Sequence, residues 1–129
     1  MALWEGASAW QLDPQTLVSM GPVDWKKSLT HAPFSAHPRP DRDGSLWNFG
    51  HVPWADKLIL YHFGHDGVLK RSAILNAPEA GMVHDFAVTD RSLILVPTPR
   101  SDMTRIAPII PAVFWICIGG MRPSQLRYW

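Results

Sequence analysis

Three residues of this 129-residue chain have the chemistry of a metal centre: Glu5, His37 and His84. His84 heads the run Met82-Val83-His84-Asp85-Phe86-Ala87-Val88-Thr89, which reads as a strand. His37, 47 positions earlier, enters a second extended region in Pro33-Phe34-Ser35-Ala36-His37-Pro38. Glu5 lies 32 positions before that, in Ala2-Leu3-Trp4-Glu5-Gly6. Imidazole nitrogen suits first-row divalent metals, and a carboxylate beside a ligating imidazole fixes its tautomer and raises its basicity. Spacing alone argues weakly for such a site. Metal ligands usually announce themselves by short intervals, and a lone glutamate is usually a surface residue.

The other four histidines have plainer readings. His31 falls in a connecting loop, His51 at a strand end, and His65 in a hairpin turn. His62 shares an alternating face with Leu58 and Leu60, the pattern of a partly buried, hydrogen-bonded histidine.

Short strands must position these residues. Ala2–Glu5 is extended, Ala9–Leu12 follows a Gly6-Ala7-Ser8 turn, and Thr16–Val18 reads as a further strand ended by Gly21-Pro22. Residues 22–34 read as a connection. The prolines at 33, 38 and 40 exclude helix around His37. Asp41-Arg42-Asp43-Gly44 is a turn, with a strand from Leu46 to Phe49 after it. The clearest hairpin is Lys57–Phe63, turning at Gly64-His65-Asp66-Gly67 and returning over Val68–Leu75. Asp90-Arg91 turns the chain into Ser92–Val96. No apolar stripe of helical period runs through residues 1–98, so the expected class is all-β. One cycle from His37 through a strand and a hairpin to His84 has the length of a propeller blade. Equivalent positions of successive blades converge on the axis, which would bring the two histidines together.

Composition bounds the rest. The chain allows one ordinary domain, and its apolar and charged fractions are those of a globular protein. A net charge of +1 without a Lys/Arg cluster argues against nucleic acid as a partner. Cys117 is the single cysteine, which excludes an internal disulfide and fits a reducing compartment. No secretory signal is visible. The apolar run Ile106–Met121 is interrupted by Pro108, Pro111, Gly119 and Gly120, too broken for a membrane span. A cytoplasmic location is expected. Residues 1–98 carry eight Lys/Arg against ten Asp/Glu, whereas residues 99–129 carry four Arg and only Asp102. The composition therefore shifts near Pro97-Thr98-Pro99, and residues 99–129 form a separate, irregular tail.

The words around the three residues carry a resemblance. Ala2-Leu3-Trp4-Glu5-Gly6, then Leu12-Asp13-Pro14 with Thr16-Leu17, then Phe34-Ser35-Ala36-His37-Pro38 occur in that order. Asp43-Gly44 with Leu46-Trp47-Asn48-Phe49-Gly50 follows, and then Met82 to Thr89. This resembles the carotenoid cleavage oxygenase family of carotenoid, apocarotenoid and stilbene dioxygenases, over about residues 1–98. His84-Asp85-Phe86 is the most specific part. The resemblance implies a seven-bladed β-propeller, of which this chain would hold about two blades. It also implies one Fe(II) on the axis, held by four histidines from separate blades. His37 and His84 match the first two ligands, and Glu5 matches a glutamate that accepts a hydrogen bond from a ligand's distal nitrogen, here that of His84. The implied reaction adds O₂ across a C=C bond of an apolar polyene or stilbene-type substrate, giving two carbonyl products. Trp47, Phe49 and Trp54 are candidates for lining the substrate tunnel. Peripheral membrane contact is an option for the full-length protein.

The sequence departs from that pattern in two respects. No histidine follows His84, so the third and fourth ligand positions have no candidates, and Glu79 is the only glutamate besides Glu5, so the remaining glutamate partners of the ligands are absent too. The expectation is a family fragment that is inactive alone, with a tail that suits frame-shifted or intron-derived sequence. The alternative is a non-catalytic propeller fragment or interaction module.

Overall fold

Strand order and burial follow from a few segments rich in β-forming residues. In the computed structural model, residues 1–78 and 80–98 are described, together with the backbone of 114–117 and 127–128. Glu79 and most of the tail from residue 99 onward lie outside the described residues.

The central sheet is a four-stranded antiparallel meander: β3 (Arg39–Pro40), β4 (Leu46–Val52), β5 (Lys57–Phe63) and β6 (Leu69–Asn76), in that spatial order. β5 decides the packing because both its faces are apolar. Leu58 and Leu60 turn to one side, and Ile59, Tyr61 and Phe63 to the other, as the two-residue period of a strand requires. The first side meets Trp47, Phe49, Ala80, Val83, Phe86, Leu93 and Leu95, joining this sheet to the next. The second side meets Ala9, Leu29 and Phe34 of the N-terminal region, with Trp25 stacked on Phe34 at 5.3 Å between ring centroids. Trp47 and Phe49 are thus core residues, and Trp54 is exposed.

A second sheet is formed by β7 (Phe86–Val88), β8 (Ser92–Leu95), β9 (Phe114–Cys117) and β10 (Arg127–Tyr128), each antiparallel to the next. Both sheets therefore run outward from their first strand in chain order, as successive propeller blades do. His37 stands two residues before β3, and His84 two residues before β7. The two histidines occupy equivalent places in successive blades.

The N-terminal hairpin pairs β1 (Trp10–Leu12) with β2 (Ser19–Pro22). The expected strand at Thr16–Val18 is displaced to Ser19–Pro22. The Asp13 carboxylate accepts hydrogen bonds from the Gln15 and Thr16 amides and the Thr16 hydroxyl, folding residues 13–16 into a turn. Leu17 then takes a left-handed φ of 58°. Gly21 and Pro22, expected to end the strand, belong to it. His51 is the penultimate residue of β4, near the expected strand end, and it is buried. His62 is half-buried against Trp47, with ring centroids 4.1 Å apart.

Tyr61 ties β5 to the segment leading to His37: its hydroxyl donates to the Pro33 carbonyl at 2.8 Å, and both residues are buried. Burial raises the Tyr61 phenol well above its ordinary value. A phenol with a raised folded pKa contributes stability that is complete below the unfolded value of about 10 and is lost as pH rises beyond it. Tyr61→Phe should cost about 1–2 kcal/mol at neutral pH by leaving the Pro33 carbonyl unpaired. It should also flatten the fall in stability above about pH 10. Urea melts at neutral and alkaline pH check both effects.

Candidate metal centre

Each of the three candidate residues is placed by backbone hydrogen bonds before its side chain does anything. Glu5 follows Trp4, which forms an antiparallel bridge to Phe34. The Phe34 amide donates to the Ala7 carbonyl at 2.9 Å, and the Ala7 amide to the Trp4 carbonyl at 3.2 Å. This turn lays Glu5 beside the segment that leads to His37.

His37 is held through Ser35. The Ser35 amide donates to the Phe49 carbonyl at 2.8 Å, and the buried Asn48 amide group donates to the Ser35 carbonyl at 2.9 Å. The Ser35 hydroxyl in turn accepts the His37 amide at 3.1 Å. His84 is held from the other blade. Thr98 donates its amide to the Met82 carbonyl and accepts the Gly81 amide, each at 2.8 Å, while Val83 is buried. The Asp85 carboxylate accepts the Phe86 amide at 2.7 Å, which fixes the entry into β7.

The structure brings all three side chains together. One donor atom from each of Glu5, His37 and His84 lies within 4.8 Å of the others. The imidazole centroids are 4.6 Å apart with an interplanar angle of 68°. Glu5 Oε1 lies 3.4 Å from His84 Nδ1 and 3.5 Å from His37 Nε2. That oxygen is buried and has no hydrogen-bond partner, which is costly for a carboxylate unless something completes the site. A small closure would let it accept an N–H from one nitrogen of either ring, leaving the opposite nitrogen's lone pair for a metal. Two imidazoles, one of them oriented by a carboxylate, suit a divalent iron-type ion, so these residues fit the metal that the motifs imply.

Two residues at the site were not singled out from sequence. The Arg39 guanidinium forms an ion pair with the Asp85 carboxylate, joining the His37 segment to the His84 segment. Burial by itself would raise the Asp85 carboxyl; the Phe86 amide and Arg39 outweigh it and hold it below its ordinary value. The available signal was positional: Arg39 follows His37 by two residues and Asp85 directly follows His84. Beyond this pair, Arg42 faces Asp90 at 3.7 Å across an open cleft lined by Pro40, Asp41, Val88 and Thr89.

The family model for retinal pigment epithelial membrane protein (RPE65) matches residues 1–116, most of the chain and beyond the reach of the motifs read above. The chain belongs to the RPE65/carotenoid cleavage oxygenase family. Among curated relatives, carotenoid cleavage oxygenase 1 of Neurospora crassa is 33% identical over 117 residues, covering 88% of this chain and 20% of the relative. Resveratrol cleavage oxygenase 1 of Aspergillus fumigatus is 33% identical over 104 residues, covering 78% and 21% respectively. The chain thus spans about a fifth of the length of these relatives. Its fold matches the crystal structure of Pseudomonas brassicacearum lignostilbene dioxygenase with a TM-score of 0.79 and 27% identity, over 98% of this chain and 29% of that one. An all-β carotenoid oxygenase propeller fragment is therefore the architecture of the chain. Among the described residues, no helix is long and apolar enough to cross a membrane.

Proposed function

We propose that this chain carries half of the iron centre of a non-haem Fe(II) dioxygenase, with His37 and His84 as metal ligands and Glu5 as the partner that orients His84. The observation that carries the reading is the meeting of Glu5, His37 and His84 within 4.8 Å, from three separate segments. Bound iron would supply the binding and activation of O₂. The residues of the chain have simpler tasks. Glu5 Oε1, 3.4 Å from His84 Nδ1, would on a small closure accept the Nδ1 proton and keep that tautomer, leaving Nε2 free to hold a metal. The anchoring of Ser35 to β4 keeps His37 opposite it.

The relatives' names point to apolar polyene or stilbene-type substrates cleaved at a C=C bond with O₂. Two imidazoles leave most of the coordination sphere to water, so the chain by itself binds iron weakly and does not turn over. A cytoplasmic location, and peripheral membrane contact of the whole protein, belong to the same proposal. So does the divergent character of residues 99–129, which transcript sequencing across the codons around Thr98 would test.

Glu5→Gln preserves size and removes the charge, and should lower Fe(II) affinity by about 10–100-fold, the usual effect of losing such a partner. Anaerobic Fe(II) loading followed by a stilbene-cleavage assay tests the function. Iron retention without aldehyde formation is expected for this chain. Aldehyde formation should appear in a chain extended through two further in-frame histidines. Failure to retain iron would overturn the metal reading, and turnover by the 129-residue chain would overturn the claim that it is inactive alone.

A further inference from the structure

We propose that Arg39 and Asp85 form a clamp that sets the separation of the two imidazoles, making both positioning residues of the metal centre. This deepens, and rests on, the reading of His37 and His84 as ligands. The two histidines lead into different sheets that share no strand pairing among the described residues, so something other than a β-ladder must fix their spacing. Each histidine has a charged residue close behind it on its own segment. Arg39 and His37 are separated by Pro38, whose fixed φ stiffens the link, and Pro40 disfavours helix at Arg39. Residues two apart on extended backbone face the same way, so Arg39 and His37 both reach toward the second blade. There Arg39 meets Asp85, next to His84.

Asp85 is itself held. One carboxylate oxygen accepts the Phe86 amide at 2.7 Å, and the other accepts the guanidinium. The His37–His84 contact and the Arg39–Asp85 pair are therefore successive rungs between the same two segments, and Arg42–Asp90 forms a third, looser one. Arg39 and Arg42 on the first segment thus face Asp85 and Asp90 on the second, with Asp41 also lining the cleft on the arginine side.

A clamp and a bare charge effect predict opposite signs. Arg39 is a cation near a cation site. If only its charge mattered, Arg39→Ala would bind metal more tightly and Asp85→Asn more weakly. A clamp makes both variants bind more weakly, by about fivefold for a partly exposed pair. Arg39→Lys keeps a cation opposite Asp85 and leaves the acceptor of the Phe86 amide in place, so it should hold affinity to within about twofold of wild type.

The experiment titrates the full 129-residue chain and these variants with Co(II), with His37→Ala and His84→Ala as controls. In parallel, nuclear Overhauser contacts between the two imidazoles are measured without metal. The expected result is weaker Co(II) binding in Arg39→Ala and Asp85→Asn, near-wild-type binding in Arg39→Lys, and loss of the ring contact in Arg39→Ala. Tighter or unchanged binding in Arg39→Ala, or a ring contact of wild-type strength, overturns the clamp. Histidine controls that bind like wild type would overturn the ligand reading instead, leaving the ring contact to decide the clamp by itself.

Discussion

Gly50→Ala is expected to destabilise the chain by at least about 3 kcal/mol and to lower its melting temperature by roughly 10 °C. A Cβ at Gly50 would lie 1.9 Å from the Pro33 carbonyl oxygen and 2.7 Å from its carbonyl carbon. Both are backbone atoms, so no side-chain rotation relieves the clash. The Pro33 carbonyl cannot simply retreat, because the Tyr61 hydroxyl binds it from β5 and the Ser35 amide is tied to Phe49 two residues on. The segment must separate from β4, which costs packing of Phe34 in the N-terminal core and displaces His37. Two readouts should therefore move together: the thermal midpoint and the affinity for Fe(II). A variant that melts like wild type would show that the approach of Pro33 to β4 is not a constraint.

His37→Ala and His84→Ala should leave the fold nearly intact while removing metal binding. Their side chains are 39% and 63% exposed, so truncation leaves little cavity. Each carries one of two imidazoles. A four-ligand metal site is worth on the order of 10–16 kcal/mol, a share of roughly 3 kcal/mol per ligand, so either loss should weaken binding by about 100-fold. Thermal melts and metal titrations on the same samples separate the two effects. A large drop in melting temperature would mark the histidines as packing residues. Unchanged affinity would place the metal elsewhere.

How much of this was legible in sequence depends on how local the cause is. The β5–β6 hairpin was readable because its β-forming residues and its Gly64-His65-Asp66-Gly67 turn are encoded within twenty residues. The equivalence of His37 and His84 was readable from the length of the cycle that separates them. The roles of metal ligand and partner came from the motif resemblance, since histidines so far apart carry no such information themselves. What escaped was of two kinds. Competing local chemistry moved β2, because the Asp13 side chain captured the turn that the strand was expected to begin in. Long-range contacts were invisible: nothing in the words around Gly50, Asn48 or Arg39 says that they meet Pro33, Ser35 and Asp85.

That pattern also explains why the site is better defined than its place in a whole enzyme. Both histidines are held by hydrogen bonds within their own blades, from β4 and from Thr98, and these need no further blade. Under the proposed function, turnover would need further blades to supply the remaining coordination positions and the walls that exclude water.

The central claim is that this chain presents two imidazoles to one metal ion, and X-ray absorption of the anaerobically Fe(II)-loaded 129-residue chain tests it most directly. One iron per chain is expected, with imidazole scattering from two histidines that falls to one in His84→Ala. Iron ligated by oxygen alone, or imidazole scattering unchanged in His84→Ala, would contradict it.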